Sequence, residues 1–143
     1  MLNTLEEIND VLPNGLHDAE IEIVTHDLRS RSLEFQVFVW IGTMDDPPSQ
    51  RERYRRGKIR FERVEMFAVS PPRGSNSGDL TILSLELGAK LRPEFKASDP
   101  FGKASYRIFF GYSEMDIAAA NIHFEWMDDK EINRSPESDN SYL

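Results

Sequence analysis

The chain has 143 residues, a net charge of −8 and no cysteine. That length suits one domain with a core large enough to need no cross-links, and the lack of cysteine excludes disulfides, thiolate zinc sites and a cysteine nucleophile. The charge is uneven: residues 1–28 hold seven acids and no Lys or Arg, residues 29–63 nine bases against five acids, and the remainder eight bases against thirteen acids. An acidic total disfavours a dedicated nucleic-acid binder and suits a protein partner with a basic surface. The start, Met1-Leu2-Asn3-Thr4-Leu5-Glu6-Glu7, has neither half of a signal peptide, and the longest apolar run, Val37 to Ile41, is far too short to cross a membrane, so a cytoplasmic location is expected.

Leu2, Leu5, Ile8 and Leu12 fall at helical spacing behind an Asn3 or Thr4 cap, which predicts a short opening helix ending at Pro13. Asn14-Gly15 then turns the chain into a long predicted strand, Leu16 to Leu28, with Ala19, Ile21 and Ile23 on one face and Asp18, Glu20 and Glu22 on the other. After Arg29-Ser30-Arg31-Ser32, the alternation Leu33, Phe35, Val37, Val39, Ile41 predicts a second strand in hairpin with the first. Gly42 to Gln50 reads as a loop. The third predicted strand runs from about Tyr54 to Val69, and its inward phase slips near Arg63, the mark of a β-bulge. Pro71 to Gly78 reads as a loop, Leu80 to Leu87 as a strand, and Gly88 to Lys103 as a long connection with a turn at Asp99-Pro100-Phe101-Gly102. Tyr106 to Tyr112 and Ile122 to Trp126 alternate as two last strands, and Ile117-Ala118-Ala119-Ala120 leaves a helix start open between them. The expected fold is all-β, an antiparallel sandwich or partly closed barrel with a short N-terminal helix. Residues 1–127 form a single β-rich domain in this reading, and 128–143 a polar, mobile tail.

Chemistry-bearing residues are sparse. His17-Asp18 and His26-Asp27 look like metal-ligand pairs, but positions 17 and 26 have opposite parity and lie roughly 30 Å apart on a straight strand. A composite of His17 or Asp18 with His123 and Glu125 would supply two imidazoles and a carboxylate, so a metal-binding domain or metal-dependent enzyme on His17, Asp18 and His123 is one alternative. A histidine hydrogen-bonded at a strand end is the commoner fate of such a side chain. No Gly-x-Ser-x-Gly elbow and no phosphate-cradling glycine motif occurs, so no catalytic residues and no cofactor are assigned. The segment Arg51 to Arg63 carries seven bases with an interleaved Tyr54 and Phe61, and nucleic-acid contact through 51–63 is a second alternative. Its ordinary reading is a strand whose bases pair across to the acids of residues 1–28. The binding residues favoured are His17, Asp18, Glu20 and Glu22, on a non-enzymatic domain that binds a protein.

Leu16-His17-Asp18-Ala19-Glu20-Ile21, the strand beginning at Leu33 and Gly57-Lys58-Ile59-Arg60-Phe61-Glu62-Arg63-Val64 together resemble a pattern of small bacterial β-rich proteins. Those open with a Leu-His-Asp-Ala strand and later carry a Leu-x-Phe-x-x-Val strand, and some are grouped with immunity proteins of bacterial toxin systems. Here Ile59 replaces the leucine, and Arg63 stands where a glycine is often found. The resemblance implies a β-rich fold and a protein-binding, immunity-type role, and carries over no catalytic residue.

Overall fold

The computed structural model describes residues 1–69, 84–87, 104–109 and 114–136. A seven-residue helix, α1 (Leu5–Val11), opens the chain. Its cap is reciprocal: Thr4 Oγ1 accepts the Glu7 amide at 3.0 Å, and Glu7 Oε2 reaches back to accept the Asn3 amide at 3.0 Å, so one orphan donor of the first turn and the amide just before the cap are both satisfied. Leu5, Ile8 and Leu12 are buried in the main core. Pro13 stops the helix, because the residue before a proline is pushed to extended backbone, as Leu12 is.

Nine strands follow: β1 (Pro13–Leu16), β2 (Glu20–Asp27), β3 (Ser32–Trp40), β4 (Arg53–Glu62), β5 (Met66–Val69), β6 (Ser84–Leu87), β7 (Ala104–Phe109), β8 (Glu114–Ala119) and β9 (Asn121–Asn133), with a 3-10 turn at Pro48–Gln50. Of these nine strands among the described residues, all but β1 form two antiparallel sheets, ordered β2-β3-β4-β9 and β5-β8-β7-β6, and no closed barrel. Leu33, Phe35, Val37 and Val39 of β3 and Ile59 and Phe61 of β4 are fully buried, and they share one core with Tyr106, Ile108 and Ile117 of the second sheet. Phe61 meets Tyr106 edge to face at 5.1 Å, and Phe35 meets Phe67 at 6.4 Å. The expected all-β fold with a short N-terminal helix is what the chain forms.

One corner joins the sheets. β4 runs on into β5 while β8 runs on into β9, so the same two stretches pair in both sheets. Between the pairs Glu62↔Asn121 and Met66↔Ala118 lie residues 63–65 on one side and only 119–120 on the other. The extra residue is a bulge, with Arg63 at φ 52°, and it bends the ladder. The Ala120 amide still reaches Glu62 O at 2.9 Å, and the Val64 amide reaches Arg31 O at 2.8 Å. The phase slip near Arg63 in the sequence is this corner, which divides the long third strand into β4 and β5.

Three other expectations change. The strand from Leu16 to Leu28 breaks at His17-Asp18, where Asp18 takes φ 63°, a left-handed conformation that a short acid tolerates. Further on, Ile21 faces Val37 but Ile23 faces Gln36, so Glu22 is an extra residue that flips the phase. Ile23 therefore sits on the solvent face, 49% exposed, instead of beside Ile21. The polar change at Asp128 does not end the domain either: β9 continues to Asn133, and the buried Ser135 Oγ accepts the Glu52 amide at 2.9 Å. Ile117 to Ala119 lie in β8, not in a helix. The expected loop at 71–78, the first part of the strand expected from Leu80, the connection at 88–103, Tyr112 and the tail at 137–143 lie outside the described residues.

Candidate functional site

On the first sheet, alternation places Phe38 and Trp40 of β3 and Tyr54, Arg56, Lys58 and Arg60 of β4 on the face turned away from the core. Trp40 is the register partner of Tyr54, and Phe38 that of Arg56. Phe38 is nevertheless buried, at 7% exposure. Two guanidinium groups cover it: Arg56 lies 4.7 Å and Arg134 4.8 Å from its ring centre. Arg134 also lies 5.0 Å from the Tyr54 ring and is ion-paired to Glu20, and Arg56 Nε is 3.0 Å from Glu22 Oε1. The bond and charge of Glu22 raise the Arg56 pKa further.

Beside this patch lies a cleft of ≈ 320 Å³ walled by Asp18, Trp40, Met44, Arg51, Glu52 and Tyr54, with Pro48 and Pro136 at its margin. Its frame is well fixed. The Trp40 indole donates to Arg51 O at 2.6 Å, and Asn14 Nδ2 donates to Trp40 O and Gly42 O at 3.1 and 2.7 Å. Gly42 is needed here, because a Cβ would fall 1.9 Å from the Arg51 carbonyl oxygen. Burial, followed by the carboxylates of Glu20, Glu52 and Asp18, raises the Tyr54 pKa above its ordinary value of 10.0. Met44 stands at the rim, 68% exposed.

The residues singled out from the sequence meet only in part. Asp18 lines the cleft, Glu20 and Glu22 hold the arginines beside it, and His17 Nδ1 is 3.2 Å from Asp18 Oδ2 on an exposed turn. His123 is elsewhere, on β9, the edge of the sheet opposite β2, and so about 14 Å across the strands. Both its ring nitrogens are engaged, Nδ1 with Asn3 Oδ1 at 2.8 Å and Nε2 with Glu62 Oε1 at 3.3 Å. The structure does not bring His17, Asp18 and His123 together, and among the described residues no group of three or more His, Asp or Glu is placed to hold a metal. His26, turned inward by the shift at Glu22, meets the Phe67 ring edge-on at 5.6 Å.

The basic segment is spent on local partners. Arg53 meets Asp46 and Glu131, Arg55 meets Asp129, Arg56 meets Glu22, Lys58 meets Glu34 at 3.7 Å and Arg60 meets Glu62 at 3.9 Å. Arg51 donates through Nε to Asp46 O. Such a row neutralises itself and leaves little field to track a phosphate backbone.

Trp40, Met44 and Arg134 are not among the sequence candidates, and Tyr54 and Glu52 enter there only as members of the basic segment 51–63. A signal for two of the cleft walls was there: Trp40 falls on the polar phase of β3 and Tyr54 opens the basic strand, so each ring had to face away from the core or lie at its edge.

No protein-family model matches the chain, and no curated protein matches it. A solved structure similar to it is the crystal structure of an uncharacterized protein from Neisseria gonorrhoeae, with 16% identity over 76% of this chain and 91% of that one, at a TM-score of 0.47. Among the described residues, no helix is long and apolar enough to cross a membrane.

Proposed function

We propose that this chain is a non-enzymatic protein-binding domain that engages its partner through the Trp40–Tyr54 cleft, and that its finer role is immunity-type inhibition of a bacterial toxin in the cytoplasm. The observation that carries the reading is a half-buried tryptophan and tyrosine with an exposed methionine on the solvent face of a sheet, ringed by Arg51, Arg134, Asp18 and Glu52. Tryptophan, tyrosine and arginine are the side chains that dominate interface energies, and a polar rim around an aromatic centre is how such interfaces exclude water. The net charge of −8 favours a partner with a basic surface. The immunity-type role rests on the resemblance of the Leu16 to Ile21 motif, and the cytoplasmic location on the cysteine-free composition, which suits a reducing compartment.

Affinity capture from the source cell tests the reading, comparing wild type with Met44→Asp, a substitution at an exposed side chain of the cleft. The wild type should retain a basic protein that the variant loses, with equal melting temperatures. Identical partner sets, or none, would overturn it.

A further inference from the structure

The first sheet seats its own arginines in one repeated way. Arg56 lies against Phe38 and meets Glu22; Arg134 lies against Phe38 and Tyr54 and meets Glu20; Arg55 lies 4.4 Å from the Trp126 ring centre and meets Asp129 at 2.9 Å. Each seat pairs an aromatic face with a carboxylate. The cleft offers the same two components, Trp40 and Tyr54 with Asp18 and Glu52, but among the described residues no Lys or Arg pairs with either carboxylate, and Asp18 meets the His17 ring at 3.2 Å. Arg51 lines it, yet its Nε donates to the Asp46 carbonyl at 2.8 Å and, among the described residues, it forms no ion pair with Asp18 or Glu52.

We propose that the cleft is a receptor for an arginine side chain presented by a protein partner, its guanidinium lying against Trp40 and Tyr54 and meeting the carboxylates of Asp18 and Glu52. This rests on the protein-binding reading above and names what the partner must bring. Beside that geometry, the carboxylates of Glu20, Glu52 and Asp18 act on the Tyr54 hydroxyl in the direction that repels negative charge and attracts a cation, against the opposing charge of Arg134. Arginine fits better than lysine, because a planar, weakly hydrated guanidinium stacks on a ring and bonds a carboxylate at once, whereas an ammonium gives up more hydration.

The test follows the two indole Nε1–H signals by 15N-correlation NMR while a capped Gly-Arg-Gly peptide is added to the full chain. Trp40 should shift saturably and Trp126, already covered by Arg55, should not. The lysine peptide should bind more weakly and the citrulline peptide, isosteric but neutral, should not saturate. Asp18→Asn with Glu52→Gln should weaken binding at least about tenfold, and asparagine keeps the left-handed turn at position 18 so that the rest of the spectrum is unmoved. No saturable Trp40 shift, equal binding of the citrulline peptide, or an unchanged affinity in the double variant would overturn the proposal. The two readings fail separately. A partner captured from cells equally well by the double variant defeats the arginine seat and leaves protein binding intact. Peptide binding without any captured partner does the reverse.

Discussion

The two edges of the first sheet solve one problem differently. β2 and β9 flank the sheet, and both leave the regular ladder where they run beyond the core. On β2 one residue, Glu22, is extra. On β9 the register passes from Trp126↔Gly57 to Glu131↔Arg55, so β4 advances two residues while β9 advances five. Adjacent residues of β4 pin both irregularities: Arg56 reaches Glu22 at one edge, and Arg55 reaches the Asp128 carbonyl at 2.6 Å and the Asp129 carboxylate at the other. Neighbours on a strand point to opposite faces, so one dipeptide holds two edges from two sides. Bulges and charges of this kind keep an exposed edge from pairing with another chain. The edges differ in what lies behind the irregularity. β9 has already delivered Ile122 and Phe124 to the core, and Leu2 pairs with Phe124 through two 2.8 Å hydrogen bonds on its outer side. β2 has delivered only Ile21, and every residue after it is exposed.

The largest expected effect sharpens this contrast. Phe124→Ala should cost about 3–5 kcal/mol, the range for emptying a buried aromatic site, whereas Val24→Ala on β2 should stay within about 0.5 kcal/mol, as at other surface positions. Gly57→Ala should cost about 1–3 kcal/mol by overpacking, because its Cβ would stand 2.5 Å from the Phe124 ring. In a double-mutant cycle the Gly57 and Phe124 costs should fall well short of additive, since the same ring is lost in one variant and displaced in the other. Chemical denaturation of the four proteins measures all of this, and additive costs would mean that Phe124 does not rest on Gly57.

The next effect lies where β1 turns into β2. Asp18 holds φ 63°, and among the described residues its carboxylate meets only the exposed His17 ring. Asp18→Ala should therefore cost about 1 kcal/mol through the left-handed backbone alone, and Asp18→Gly should cost nothing or stabilise slightly. Equal losses in both variants would move the cause from backbone to side chain.

Legibility follows the same line between the edges. The buried phase of β3, the helix cap at Thr4 and the slip at Arg63 all appear in the sequence because apolar spacing and structure agree there. β9 reads correctly up to Trp126, since its irregularity begins where the sequence turns polar. At β2 the bulge falls inside an apolar run: Ile21 and Ile23 look like partners on one face, and nothing local reports that Glu22 is extra. The far half of β9 is hidden for a related reason, because Asp128 to Asn133 are polar yet held in the strand by Arg55 and Arg53. As for the cleft, Asp18 is legible as a binding candidate on the acidic face of the first predicted strand, but Trp40 and Tyr54 meet only through the β3–β4 register, which spacing along one strand does not contain.

The two clamps come next in size. Arg55→Ala should cost at most about 1 kcal/mol, being a partly exposed ion pair with an aromatic contact, and Arg56→Ala should lower stability no more than that. Their signatures should be local: hydrogen exchange should quicken at 127–130 in the first variant and at 21–23 in the second. Exchange that quickens at both edges in either variant would show that the edges are coupled through β4 and are not pinned independently.

The smallest effect is a pH dependence confined to the β2 side. At the end of β2, Asp27 Oδ1 accepts the amides of Arg29 at 3.0 Å and Ser30 at 3.2 Å, closing the turn into β3. The Ser30 amide first, and then that of Arg29, hold the Asp27 carboxyl below its ordinary value of 3.8. A lowered folded-state pKa favours the ionised form, so the contribution is fully present above the unfolded value and fades as pH falls through the folded one. Asp27→Asn keeps an oxygen that can accept both amides and removes only the charge. The stability difference between wild type and Asp27→Asn should therefore be constant at neutral pH and shrink below about pH 4. Denaturant midpoints followed from about pH 6 to pH 2 would show it, and a difference that persists at the acid end would assign the turn's stability to the hydrogen bonds without the charge.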